Sequence, residues 1–288
     1  MEWENKVMCG LTGIIFGKKK RSKIELEEIR NLFTDMLCMS EDRGTHASGV
    51  ATMREDGEEL LYKLPVPSSR LVTKDGFRRV VNSIGYKTTI LMGHSRWRTV
   101  GSEFNNDNNQ PIMTDYVLGA HNGTISNATA LFNKYKLTRT AEVDSEILFR
   151  LAENTIDDGM IQIQDYISYL KSVTGSMSCV FVSKTDPAHI FLCKGDKPLY
   201  VFYNNRLKIM AYGSTEEYLI SSAINPEEWI KLDLDPFYVY IIDFENFDMV
   251  SREPFVLHKA PAYPLVSYMK SLPKDKSSKK GSGVEKSK

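Results

Sequence analysis

Met8-Cys9-Gly10-Leu11-Thr12-Gly13-Ile14-Ile15-Phe16 opens the informative part of this 288-residue chain. Its apolar run, almost without polar alternation from Leu11 on, predicts a buried strand, with a thiol at its leading tip and a glycine directly after it. A cysteine in that place is either a core residue or an exposed nucleophile, and these residues alone leave both open. If Cys9 were the first residue of the mature chain, its α-amine, with an ordinary pKa of about 7.7–8.0, would serve as general base to its own sulfur.

Working outward, Ser22 and Glu25 have capping-box spacing and predict a helix start. Ile29, Leu32, Phe33, Met36 and Leu37 then supply one apolar face at helical intervals. Strands are expected at 51–53 and 60–64, a helix at 70–83 and a buried strand at 88–93. The Asn-rich stretch 101–110 reads as a loop, and 116–120 as a short strand ending at the turn-like His121-Asn122-Gly123. Helices are expected across 142–154 and 160–173, strands at 179–183, 189–193, 199–203 and 207–212, a helix at 215–223 and a strand at 238–244. This order indicates an α+β protein with stacked sheets and outer helices.

Composition excludes several function classes. Lys plus Arg equals Asp plus Glu at 37 each, so the formal net charge is zero and no basic excess points to nucleic acid. No apolar run approaches the roughly 20 residues of a spanning helix, and the N-terminus lacks signal-peptide order, so a cytoplasmic protein without membrane association is expected. Cys38, Cys179 and Cys193 are scattered and read as small buried hydrophobes. The Lys/Ser-rich stretch 271–288 is expected to be a disordered tail.

Four further segments carry chemistry. In Gly93-His94-Ser95-Arg96-Trp97-Arg98-Thr99 an arginine follows a buried strand; its planar fork suits either a carboxylate ligand or a structural ion pair. Asn122 and Gly123 are either a tight turn or two donors aimed at an oxyanion. Asp144, in Glu142-Val143-Asp144-Ser145-Glu146, either caps a helix or holds an ammonium group. Arg43-Gly44-Thr45-His46-Ala47-Ser48-Gly49 reads by itself as a glycine-bearing helix stop.

In order, Cys-Gly at a strand start, RGxxxSG, GHSRWxT, HNGxIxN and ExDSE resemble the glutaminase domain of class II glutamine amidotransferases, nearest to the glutaminase half of glucosamine-phosphate synthase, from Cys9 to about residue 225. The resemblance implies a four-layer α/β/β/α sandwich of the N-terminal-nucleophile hydrolase type. It implies that Cys9 attacks the L-glutamine amide, giving a glutamyl thioester and ammonia, with Asn122 and Gly123 as oxyanion hole. Arg96 would bind the α-carboxylate and Asp144 the α-ammonium. Trp97 and Thr99 would line the pocket, and Arg43 would order the loops around the nucleophile. No cofactor or metal is implied.

Two positions depart from the family pattern. His46 stands where Asp is common, and Val100 where the synthase has histidine; neither does bond chemistry, so altered loop packing is expected rather than lost activity. Residues 1–8 precede the nucleophile. Either they are a short leader that is removed, or Met8 is the true start; Trp3-Glu4 is encoded UGG-GAR, whose GGGA is a ribosome-binding core upstream of Met8. The expected organisation is thus a leader or misassigned start at 1–8, an amidotransferase domain at 9–270 and a tail at 271–288. Free ammonia needs an acceptor, so a separate synthase or ligase subunit is the expected partner, and a homo-oligomer is compatible with the sequence. Rival readings are an amidohydrolase of another amide, or a non-catalytic glutamine-binding or regulatory module in which Cys9 stays internal.

Overall fold

A computed structural model describes residues 9–258. The expected leader, the start at Met8, the boundary at 270 and the tail at 271–288 lie outside the described residues.

The chain first forms β1 (Gly10–Phe16), α1 (Lys23–Met39), β2 (Ala47–Arg54), β3 (Glu59–Leu64), α2 (Ser68–Leu71), α3 (Asp75–Asn82) and β4 (Thr88–Arg96). There follow β5 (Ile112–Met113), β6 (Val117–Ile125), α4 (Ala128–Tyr135), α5 (Glu146–Glu153), β7 (Ile156–Asp157), β8 (Met160–Ile161), α6 (Ile163–Leu170), β9 (Gly175–Ser183) and β10 (His189–Lys194). The last part contains β11 (Tyr200–Asn204), β12 (Ile209–Gly213), α7 (Glu217–Ser222), β13 (Trp229–Leu232), β14 (Tyr238–Asp243) and β15 (Asp248–Pro254).

Two antiparallel sheets result, ordered β13-β11-β12-β1-β4-β2-β3 and β15-β14-β10-β9-β6-β5, beside the small β7–β8 hairpin. Parity along the second sheet shows the layering. Leu118, Ala120, Val180, Val182, Ile190 and Leu192 join the large core shared with the first sheet. Their alternates Val117, Met177, Cys179, Phe181, Phe191 and Cys193 join a second core with Phe149, Tyr166 and Ile167 of α5 and α6. On the outer face of the first sheet α1 packs against β1, α3 against β2 and α7 against β12. The four-layer sandwich is therefore present. Helix α1 starts as its spacing requires: Ser22 accepts from the Glu25 N–H and Glu25 accepts from the Ser22 N–H, and all five expected apolar residues are buried.

Several local expectations are corrected. His121-Asn122-Gly123 is no turn; β6 runs through it to Ile125, because Gly123 stays in register with Met177 of β9. Residues 70–83 form two short helices, α2 and α3, rather than one. Residues 160–173 are not a single helix: Asp158 and Gly159, both at positive φ, close the β7–β8 hairpin before α6 begins. Helix α5 starts at Glu146, so Asp144 precedes it and caps nothing. Cys179 and Cys193 are fully buried, but Cys38 only partly. Among the described residues, no helix is long and apolar enough to cross a membrane.

Candidate active site

Strand β1 lies in the middle of its sheet, paired with β4 on one side and β12 on the other, and this fixes Cys9 at its leading end. The fit around it is close. A Cβ on Gly10 would lie 2.8 Å from the Ser40 carbonyl oxygen, and one on Gly44 would lie 2.3 Å from the Arg96 carbonyl carbon. Glycine at both places lets the turn after α1 press against β1 and β4. That turn carries Arg43, whose Nε donates to the Cys9 carbonyl at 3.1 Å. The adjacent Asp42 accepts from the Tyr218 hydroxyl of α7 at 2.9 Å. The Cys9 sulfur is 3.6 Å from the Trp97 carbonyl oxygen. Burial pushes its thiol above the ordinary value; the Arg96 and Arg43 guanidinium groups oppose that rise and Asp144 adds to it.

Parity along β6 decides what faces the sulfur. His121 points outward, where its Nδ1 meets the Ser145 hydroxyl at 2.9 Å. Asn122 points to the other side and lines, with Cys9, Trp97, Thr99 and Gly123, a cavity of about 150 Å³. The Asn122 side chain is 1% exposed, yet neither its nitrogen nor its oxygen has a hydrogen-bond partner. A buried amide without partners costs about 1–3 kcal/mol, a cost that folding alone would not select. Gly123 sits at φ +146, and a Cβ there would lie 2.0 Å from the Ser176 carbonyl oxygen.

Arg96 and Asp144 are placed differently. Arg96 is 3% exposed and is not among the residues that line this cavity. Its Nη1 donates to Asn109 Oδ1 at 2.7 Å, and its Nη2 to the carbonyls of Val100 and Gly101 at 2.6 and 2.9 Å. Three of its five N–H groups are thus taken. Asp144 accepts from the Ile125 N–H and lines an adjoining cavity of about 220 Å³ with Val100 and Arg139. Thr124 borders both cavities. His46 packs edge-on against the Trp97 ring at 4.7 Å and accepts from the Arg98 N–H, so this departure from the family pattern is spent on loop packing.

The structure therefore gathers Cys9, Trp97, Thr99, Asn122 and Gly123 in one cavity, sets Asp144 in the next, and keeps Arg43 and Arg96 as buried supports beside them. Thr124, Ser176 and Lys197 complete the walls. Sequence reasoning missed these three; Thr124 occupies a variable place in HNGxIxN, and the other two carry no local signal. A wider cavity of about 550 Å³ around Arg150 contains none of these residues, and Arg150 there is already paired with Asp115, Glu146 and Glu153. Among the described residues, no three His, Cys, Asp or Glu side chains are grouped to hold a metal.

No family model matches the chain. It is 29% identical over 250 residues to a 7-cyano-7-deazaguanine synthase of Saccharolobus solfataricus, covering 82% of this chain and 48% of that protein. It is 27% identical over 258 residues to a glutamine–fructose-6-phosphate aminotransferase (isomerizing) of Halalkalibacterium halodurans, covering 86% and 39%. Among solved structures, a glutamine phosphoribosylpyrophosphate amidotransferase of B. subtilis superposes with a TM-score of 0.61 at 17% identity, covering 87% of this chain and 50% of that one. A glutamine aminotransferase class-II domain protein of Silicibacter pomeroyi superposes with a TM-score of 0.51 at 15% identity, covering 86% and 100%. The chain spans about half the length, or less, of the curated relatives it matches.

Proposed function

We propose that this chain, which has the fold of class II glutamine amidotransferase domains, releases ammonia from L-glutamine through a thioester on Cys9. The observation that carries the reading is the unpartnered, buried amide of Asn122 facing the same small cavity as the Cys9 thiol. An amide left without partners at a thiol is suited to a charge that exists only while substrate reacts.

In this mechanism Cys9 is the first residue of the active chain, and residues 9–270 form the working domain. Its α-amine takes the thiol proton. The sulfur attacks the amide carbon, and the carbonyl oxygen becomes an oxyanion held by the Asn122 side-chain N–H and the Gly123 backbone N–H. The protonated amine then gives its proton to the leaving nitrogen as the C–N bond breaks, which yields ammonia and a glutamyl thioester. Water, deprotonated by the same amine, hydrolyses the thioester to glutamate and restores the thiol. The two uncommitted N–H groups of Arg96 suit the α-carboxylate, and Asp144 suits the α-ammonium; together they select a free amino acid over a peptide. Trp97 and Thr99 wall the pocket, and Arg43 holds the Cys9 carbonyl.

The relatives' names describe different products, and this chain matches about half of each protein or less. Nitrogen supply from glutamine is the chemistry we assign to the stretch they share with it. The acceptor chemistry then falls to a separate synthase or ligase domain or subunit. All four cysteines are free, which fits a cytoplasmic, reducing compartment.

The test uses protein made from its native gene. N-terminal sequencing should find Cys9 first, glutamine should yield glutamate and ammonia in equal amounts, and 6-diazo-5-oxo-norleucine should add covalently to Cys9. An active chain in which Cys9 remains internal would overturn the amine mechanism. A chain with free Cys9 that neither hydrolyses glutamine nor takes the label would overturn the reading as a whole.

A further inference from the structure

The Asn-rich stretch expected only to be a loop contains three consecutive side-chain amides, Asn108, Asn109 and Gln110, that are 0%, 0% and 5% exposed. Each reaches a different wall of the candidate site. Asn108 is joined to Glu142 twice: its Nδ2 donates to Glu142 Oε2 at 2.7 Å, and its Oδ1 accepts from the Glu142 N–H at 2.8 Å. This holds the segment that leads to Asp144. Asn109 Oδ1 accepts from Arg96 Nη1 at 2.7 Å, while its Nδ2 donates to the Glu103 carbonyl at 2.7 Å. Gln110 grips the backbone of His121 from both sides, accepting from its N–H at 2.6 Å and donating to its carbonyl at 3.0 Å. The same Nε2 lies 3.3 Å from the Ser145 hydroxyl, which also meets the His121 ring. His121 immediately precedes Asn122.

Packing alone would not call for this pattern. A loop that merely closed a surface could satisfy its amides with water or with its own backbone. Here the side chains are withdrawn from solvent and, besides bonds of Asn108 and Asn109 to Ser102, Glu103 and Asn106 of their own loop, each also reaches one of the segments that carry Asp144, Arg96 and the Asn122-Gly123 pair. These elements are far apart in sequence, and no single strand or helix spans all three. Adjacent residues of one short segment cannot move independently by more than their own bond geometry allows. The backbone that joins them therefore fixes where the three contacts lie relative to one another, while each side chain holds its own segment.

We infer that Asn108, Asn109 and Gln110 act as a positioning tripeptide that sets the ammonium-binding, carboxylate-binding and oxyanion-binding groups of one substrate pocket at fixed mutual distances. The inference rests on the glutaminase reading above and deepens it. None of the three side chains touches the substrate; each acts through the residue it holds. Their effects should separate by substrate function. Loss of the Asn109 acceptor frees Arg96 and weakens ground-state binding, as does loss of the Asn108 contacts through Asp144. Loss of the Gln110 grip loosens the strand before Asn122 and weakens a contact made only as the oxyanion forms.

The test compares Asn108→Ala, Asn109→Ala, Asn109→Asp, Gln110→Ala and Gln110→Glu with wild type in the full chain from its native gene. Steady-state glutamine hydrolysis, thermal midpoint and amide hydrogen exchange over 96–101, 117–125 and 140–146 are measured together. Asn109→Ala should raise KM about tenfold with kcat little changed, and Gln110→Ala should lower kcat about tenfold or more with KM little changed. Asn108→Ala should raise KM and speed exchange in 140–146. Asn109→Asp keeps an acceptor for Arg96 and should bring KM back towards wild type. Gln110→Glu keeps the acceptor but not the donor and should fall between wild type and alanine. If the alanine variants lose kcat in proportion to their thermal midpoints, with one common KM and faster exchange in all three segments, the tripeptide is ordinary loop structure and the inference is overturned. A wild-type chain with free Cys9 that is inert towards glutamine overturns the functional reading instead; the exchange data then still decide whether each amide holds only its own segment.

Discussion

Gly123→Ala tests the candidate oxyanion strand most directly. At φ +146 an L side chain is strained before any neighbour is considered, which costs about 1–3 kcal/mol. The added Cβ would also meet the Ser176 carbonyl oxygen at 2.0 Å and His121 Nε2 at 2.8 Å, where real Cβ contacts do not fall under 3.0 Å. Strands β6 and β9 must therefore part by about 1 Å at the residue beside Asn122, and overpacking of this kind adds about 1–3 kcal/mol. A 1 Å misplacement at a reacting centre reduces turnover by about a hundredfold. For a chain of this size the combined strain should lower the thermal midpoint by about 5–20 °C. Glutamate release followed over a range of glutamine concentrations, with thermal unfolding of the same samples, measures both effects. Gly85→Ala is the matched control, because a Cβ there meets nothing within 4 Å and its φ is not in the strained region. Should Gly123→Ala keep kcat/KM within about twofold of wild type and unfold at the same temperature, the proposed geometry of the strand and of its oxyanion hole would be refuted.

Asn122→Ala should separate activity from stability: deleting an unpartnered buried amide should leave the thermal midpoint unchanged or higher, while kcat falls about 10²–10³-fold; a parallel loss of both would mark Asn122 as structural. Arg150→Met should do the reverse, since it strips a buried cation from Glu146, Glu153 and Asp115; stability should drop by about 3–5 kcal/mol in urea unfolding with KM for glutamine unchanged. His94 is fully buried, and burial pulls its pKa down to about 3. Its folded value lies below the unfolded value of about 6.5, so the unfolded chain binds the extra proton between those limits and stability falls as pH drops below about 6.5, by about 1.4 kcal/mol per pH unit for one proton. Urea unfolding of His94→Leu at pH 5, 6 and 7 should show a smaller slope than wild type, the difference approaching one proton towards pH 5 and about half that between pH 6 and 7; an unchanged slope would contradict the assignment.

Much of the frame could be read from local pattern, and the exceptions have definite causes. The largely apolar runs at the centres of β1 and β4, and the capped, periodic face of α1, belong to elements whose local preference and tertiary role agree. His121-Asn122-Gly123 looks turn-like in sequence because its glycine serves a positive-φ position inside a ladder, opposite Met177 and near Gly175 at φ +145. Helix α4 escaped notice: Asn127 makes no side-chain cap, and only Ala128, Leu131 and Phe132 are buried in its eight residues. At the site, residues that sit in spaced motifs were legible, whereas Ser176 and Lys197 reach the cavity only through the pairing of β9 and the turn after β10. The amides at 108–110 look like loop polarity in one dimension, since what distinguishes them is the identity of partners up to 35 residues away.

The central place of β1 has a consequence for the order in which a ribosome could deliver a working molecule. Strand β1 finds one neighbour once residue 96 has been made, but the other, β12, is not complete until residue 213. Until then Cys9 stands at the end of a half-paired strand, and Leu11 lacks the hydroxyl of Ser214 that accepts its N–H. A nascent chain thus carries the proposed nucleophile early but cannot seat it between both neighbours until about two hundred further residues have been added.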